Sequence, residues 1–227
     1  MATPNTLSRG DQTRDALIRA ALRVFGSSGF DAASTRAIAR EADVNQALIG
    51  YHFGGKRGLY LGVFEYILAQ MQLHMAPVAQ EVAESLVGVS GDDSERRALA
   101  VELLLRILDA FNEMVVLHAP EGWVRVILRE QQDPGEAFDL LYDNMLSRMM
   151  ALVTRLVAMG SGLEERSEAC RMRALMLFGQ VLIFHTARGT AMRHMGWDGL
   201  NEDKLDALKK QARLLLELQF SAGVPSS

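Results

Sequence analysis

Gln46, Ala47, Gly50, Tyr51 and His52 fall in one short stretch, and none is acidic. A carboxamide, a methyl group, a position without a side chain, a phenol and an imidazole share one chemistry. They can hydrogen-bond base edges, lie against a thymine methyl, or meet phosphate oxygens. The same residues on a helix buried elsewhere would be unremarkable, so the elements that carry them decide the matter.

Those elements are two short helices joined by a tight turn, spanning Ser34–Lys56. Ala37, Ile38, Glu41 and Ala42 recur at helical spacing, and Ser34 is a suitable N-cap. The turn is Ala42-Asp43-Val44, and Asp43 belongs to the few residue types that tolerate a left-handed backbone. Asn45 then caps a second helix whose inward residues are Leu48 and Ile49. A helix-turn-helix lays its second helix in the major groove with its N-terminal residues nearest the bases. The competing reading is a plain amphipathic hairpin inside an all-helical interaction module or small-molecule-binding protein without DNA.

The chain has 227 residues, 49% hydrophobic, with 5 prolines and no run of alternating β-branched residues, so the predicted class is all-α. Net charge is −4, unevenly spread: residues 1–57 carry 8 basic against 5 acidic side chains, and residues 58–227 carry 16 against 23. That pattern fits a DNA-facing N-terminal part on an acidic body. The polar N-terminus has no signal-peptide core and no apolar run is long enough for a bilayer, so a cytoplasmic protein without membrane partner is expected. The single Cys170 allows no internal disulfide and reads as a packed thiol.

Taken in order, residues 1–11 read as a disordered arm and 12–28 as a first helix ending between Gly26 and Gly29. The hairpin follows, and a fourth helix runs from Lys56 to about Met75, stopping before Pro77. Residues 78–93 read as a loop or short helix. Asp92 with Glu95 signals a helix reaching about His118. Further helices are predicted over Glu121–Gln132 after Pro120, over 134–159, over 164–195 and over 201–220, giving about nine.

The chain resembles the TetR family of one-component transcriptional regulators. The resemblance runs through Phe25-Gly-Ser-Ser-Gly-Phe, Ser34-Thr-Arg-Ala-Ile-Ala, Val44-Asn, and Tyr51-His-Phe-Gly-Gly-Lys with Leu59. Beyond it, Arg129-Glu-Gln, Pro134, Phe138, Gly179-Gln, Arg188 and Gly196-Trp197 look like the CecR-like subgroup. The resemblance implies an N-terminal three-helix DNA-binding domain over 1–57 and an effector-binding and dimerisation domain over 58–227. It implies backbone contacts from Thr35, Tyr51, His52 and Lys56, and base contacts from Gln46 and Ala47. Arg36, Asn45 and Gly50 complete the candidate set. Two departures bear on base preference: Asp43 stands where the turn glycine is common, and Gly50 where a tyrosine is usual.

The resemblance also implies a small-molecule effector that lifts a repressor from a pseudo-palindromic operator. Trp123, Phe138, Tyr142, Met145, Met149 and Phe184 could line an apolar cavity. Arg129, Glu130, Gln131, Gln180, His185 and Arg188 are polar groups on otherwise apolar helices, and Arg129 could pair with Glu130 or another acid. Plain core packing or internal pairing is the competing reading for each. The methionine and aromatic content favours a largely apolar or aromatic effector. The run Met172 to Phe184, apolar nearly all round, together with 201–220, predicts a homodimer through the helices near 164–195 and 201–220. No enzyme is expected and no cofactor. Gly50, Gly55 and Lys56 approach a phosphate loop, but Arg57 replaces its hydroxyl and no strand precedes it. His118, His185 and His194 lack metal-ligand spacing.

Overall fold

The computed structural model describes residues 8–120 and 122–221. Residues 1–7 of the arm expected over 1–11, and Glu121 at the expected start of a helix, lie outside the described residues; the end of that arm is corrected, because Ser8 caps a helix that already holds Arg9, Gly10 and Asp11. Among the described residues every regular element is helical. The order is α1 (Arg9–Ala32), α2 (Thr35–Glu41), α3 (Ala47–Phe53), α4 (Lys56–Ser85), α5 (Asp93–Glu113), α6 (Trp123–Gln132), α7 (Glu136–Leu141), α8 (Ser147–Ser161), α9 (Glu168–Thr186), α10 (Arg188–Met195) and α11 (Glu202–Ser221). Single π-helical turns at Met114–His118 and Tyr142–Leu146 extend α5 and separate α7 from α8.

The chain divides into two compact units. One holds the chain up to Gln70 together with Pro120–Tyr142; the other holds Met71–Ala119 and the chain from Asp143 onward. In the first, Leu17, Ile18, Leu22 and Phe25 of α1 form the core with Ile38, Ile49, Leu59, Val63 and Phe64. Serine caps start the helices: Ser8 accepts from Asp11 N–H and Ser34 from Ala37 N–H. The α1 helix bends at Gly29, whose φ of 79° is costly for any residue with a Cβ. Two further glycines let α6 reach α1. A Cβ on Gly26 would stand 2.7 Å from the Gly122 Cα, and one on Gly122 would stand 2.6 Å from the Leu22 carbonyl oxygen.

In the second unit α5, α8, α9 and α11 pack together. Leu103, Leu104, Ile107, Val153, Leu156, Val157, Leu177, Leu216 and Phe220 are buried there. The α5 N-terminus carries a complete capping box between Asp92 and Glu95.

Three further expectations about elements are corrected. First, Pro77 does not stop α4, which continues to Ser85. The proline removes the bond to the Leu73 carbonyl, and it falls on a side of α4 where Leu73 is 68% exposed, so the helix continues at the cost of one bond. Second, the helix expected over 164–195 is two helices. Ala187 leaves helical geometry (φ −107°, ψ 36°), and the preceding Thr186 hydroxyl bonds the Leu182 carbonyl at 3.0 Å. Third, the helix expected over 134–159 is interrupted by the π-helical turn at Tyr142–Leu146. The apolar run on α9 has one face buried within the chain: Cys170, Ala174, Leu177 and Val181 face the core, whereas Met172, Leu175, Met176 and Ile183 are exposed.

Candidate nucleic-acid interface

The hairpin forms as its local chemistry dictates. Asp43 adopts φ 52° in the turn, and Asn45 Oδ1 accepts from Ala47 N–H at 2.8 Å, which satisfies a free donor at the start of α3. Ile49 is buried and Leu48 half-buried, so α3 is anchored on that side. Gln46, Ala47, Gly50 and Tyr51 are left at the surface, Tyr51 being 82% exposed. Arg36 and Asn45 are also exposed; Thr35, His52 and Lys56 are half-buried. Gln46 Nε2 donates to Thr35 Oγ1 at 2.9 Å, joining the first turn of α2 to the start of α3. The Tyr51 and His52 rings meet edge to face at 5.0 Å.

Lys56 is held more firmly than its sequence suggested. Its ammonium lies 4.6 Å over the Phe30 ring and donates to the Asp31 carbonyl at 3.0 Å. Phe30 leans on Tyr60, with centroids 4.9 Å apart, and Tyr60 also meets Phe25 and Phe64. Burial, reinforced by the hydrogen bond its hydroxyl donates to Glu130 at 2.7 Å, holds the Tyr60 hydroxyl well above the ordinary tyrosine range.

Several residues that position this surface were not recognised as doing so from the sequence. A Cβ on Gly58 would fall far inside contact distance of the Phe53 carbonyl oxygen, and one on Gly62 would stand 2.9 Å from the Phe53 ring. These two glycines, four apart on α4, let the end of α3 sit directly on it; that spacing was the available signal. Glu130 is 9% exposed and accepts from Tyr60 and from the N–H groups of Gly135 (3.0 Å) and Phe138 (3.3 Å). Arg57 pairs with Glu136 at 2.5 and 3.1 Å.

The residues expected to line an effector cavity are divided between the units. Trp123, Arg129, Gln131, Phe138 and Tyr142 belong to the first, and Met145, Met149, Gln180, Phe184 and Arg188 to the second. In the first unit Trp123 is buried, Gln131 exposed, and Phe138 stacks on Tyr142 at 5.6 Å. Arg129 donates to the Ser27 carbonyl at 3.4 Å and does not pair with Glu130. In the second unit Met145 is buried, Met149 half-buried, Arg188 exposed, and Phe184 stacks on Trp197 at 6.0 Å. Gln180 Oε1, His185 Nε2 and both ends of the Asn112 carboxamide are buried without a partner. Burial first, and then the charge of Arg188, push the His185 imidazole below its ordinary value.

The likeness to known proteins agrees with this geometry. Residues 17–63 match the family "Bacterial regulatory proteins, tetR family". Residues 100–223 match "HTH-type transcriptional dual regulator CecR, C-terminal domain". The HTH-type transcriptional dual regulator CecR of Shigella flexneri is 31% identical over 96% of both chains. Among solved structures, a TetR-like transcriptional regulator from Rhodococcus sp. RHA1 has a TM-score of 0.64 at 20% identity, covering 95% of this chain and 99% of that one. AibR, in complex with isovaleryl coenzyme A and operator DNA, has a TM-score of 0.62 at 15% identity, covering 91% and 97%. The chain therefore belongs to the TetR family of helix-turn-helix, DNA-binding transcriptional regulators, with a C-terminal domain of the CecR type.

Proposed function

We propose that this regulator is a homodimeric repressor. Its hairpin Ser34–Lys56 reads a pseudo-palindromic operator, and a small molecule held within residues 58–227 releases it. The observation that carries the DNA-reading half is the sorting of side chains on α3. Ile49 is 1% exposed, while Gln46, Ala47, Gly50 and Tyr51 stand free. A phenol ring at 82% exposure leaves the Tyr51 hydroxyl free to donate to a phosphate oxygen.

For the dimer, the support is the apolar face of α9 with Leu214, Leu215 and Leu218 of α11, all exposed. Unpaired apolar surface of this kind marks an interface. For the effector, the support is the set of unpartnered buried polar groups in the second unit. Of the two polar contacts expected, Gln180 fits better, because its Oε1 lacks a partner whereas Arg129 has the Ser27 carbonyl. The rest of the lining favours an apolar or aromatic effector. The sense of regulation follows NicS of Pseudomonas putida, named a repressor and 33% identical over 76 residues covering 34% of this chain and 36% of its own; CecR is named a dual regulator. The α4 helix begins at Lys56 beside the reading helix and runs 30 residues to Ser85, and it is the element to which we assign the coupling.

The test selects genomic duplexes bound by the full chain, then titrates them with hits from a thermal-shift screen. A true effector weakens operator binding, and saturating operator weakens effector binding by the same factor. A tight ligand that leaves DNA affinity unaltered is not the effector. Absence of any selectable duplex would overturn the operator reading.

A further inference from the structure

We infer that Glu130 is a positioning residue for the contact of Lys56 with DNA, acting through Tyr60 and Phe30. The inference rests on the proposed contact of Lys56 with the phosphate backbone and adds to it a residue 74 positions away in the chain.

The Lys56 ammonium has three donors. One is committed to the Asp31 carbonyl, which leaves two for phosphate oxygens. Where those two point depends on the Phe30 ring beneath the ammonium and on the Asp31 carbonyl next to that ring in the chain. Both groups follow the Gly29 bend, so the bend and the ring must be held for the ammonium to be held. Two consecutive side chains at the end of α6 hold them. Arg129 reaches the Ser27 carbonyl, and a Cβ on Gly29 would stand 2.7 Å from its Nη1. Glu130 receives the Tyr60 hydroxyl at 2.7 Å, and the Tyr60 ring supports Phe30 at 4.9 Å.

Glu130 is itself immobilised. It is 9% exposed, and its other oxygen accepts from the N–H groups of Gly135 and Phe138 at the start of α7. A flexible surface carboxylate could not act this way; one with three donors from two other elements can. Without the Tyr60 bond, only ring packing on Phe25 and Phe64 holds Tyr60 beneath Phe30, and the floor that aims the Lys56 ammonium loosens.

The experiment measures binding of a selected operator duplex by the full chain across a series of salt concentrations. Each phosphate contact contributes about 0.9 to the slope of log affinity against log salt. Glu130→Leu, which removes both carboxylate oxygens, should lower the slope by about one contact per protomer, as should Tyr60→Phe, which removes only the hydroxyl. Lys56→Ala should lower it equally, and combining Lys56→Ala with Tyr60→Phe should lower it no further. A loss of folded protein would change the active fraction and leave the slope alone. Unchanged slopes in both Glu130→Leu and Tyr60→Phe, with Lys56→Ala reduced, overturn the positioning role while leaving the Lys56 contact standing. An unchanged slope in Lys56→Ala overturns the contact itself. Should Glu130→Leu not fold, Tyr60→Phe decides alone.

Discussion

Gln46 Nε2 donates to Thr35 Oγ1 at 2.9 Å, so a proposed base-reading side chain and a proposed phosphate-contacting side chain are bonded to one another in the free protein. Docking on DNA must exchange that bond for others, and the pair arrives in a fixed relative geometry. Gln46→Ala should cost roughly 1–3 kcal/mol at particular base pairs and relax preference there. Thr35→Val removes the acceptor while keeping the shape. It should weaken binding and broaden preference at the same positions as Gln46→Ala. Selection of bound sequences with each variant checks this; two variants with unrelated preference changes would break the link.

Lys56→Ala should act differently. A point charge at the backbone carries no sequence information, so affinity should fall about equally for all duplexes, specific or not. Titrations against an operator and an unrelated duplex compare the two losses. A loss confined to the operator would make Lys56 a base reader.

Gly58→Ala should be more damaging than either, although Gly58 touches no DNA in this reading. The added methyl group collides with the Phe53 carbonyl oxygen, a backbone atom that cannot swing aside. The end of α3 must lift from α4, at a cost of roughly 1–3 kcal/mol as for other overpacked sites. Operator binding should fall by more than the loss of stability accounts for. A thermal melt beside a DNA titration separates the two, and an unshifted melt with normal binding would refute the close approach.

The caps at Ser34, Asn45 and Asp92, and the left-handed Asp43, were legible because each is decided within four residues by one side chain and nearby N–H groups. The two short helices and their turn followed from them; the family came instead from the resemblance carried by motifs such as Phe25-Gly-Ser-Ser-Gly-Phe and Tyr51-His-Phe-Gly-Gly-Lys. Pro77 misled, because a proline on an exposed side of a helix can cost one bond without ending it. Glu130 stood out in the sequence as a polar group needing a partner, but its role was illegible for another reason. Its partner Tyr60 is 70 positions away, and nothing in Arg129-Glu-Gln shows that its first two residues turn toward the first unit's own helices. The exposed side of α9 was half legible: the apolar run announced two buried faces, and the structure of one chain fills only one of them.

That unfilled face carries the last expectation. Met172, Leu175, Met176 and Ile183 follow one another at spacings of three, one and seven along α9, and Leu214, Leu215 and Leu218 lie on α11. Met176 and Leu218 are each 67% exposed, so a glutamate at either position costs the folded monomer little. In a two-fold interface the same substitution appears twice and brings like charges together with no water to screen them. Met176→Glu with Leu218→Glu should therefore leave the melting temperature of the separated chain near its starting value while converting dimers to monomers in sedimentation at micromolar concentration. Specific binding to a two-half-site operator should then fall far more than binding to a single half-site, because only the pairing of reading helices has been lost. A wild-type chain that sediments as a monomer at that concentration would remove the dimer, and with it the requirement for a pseudo-palindromic operator.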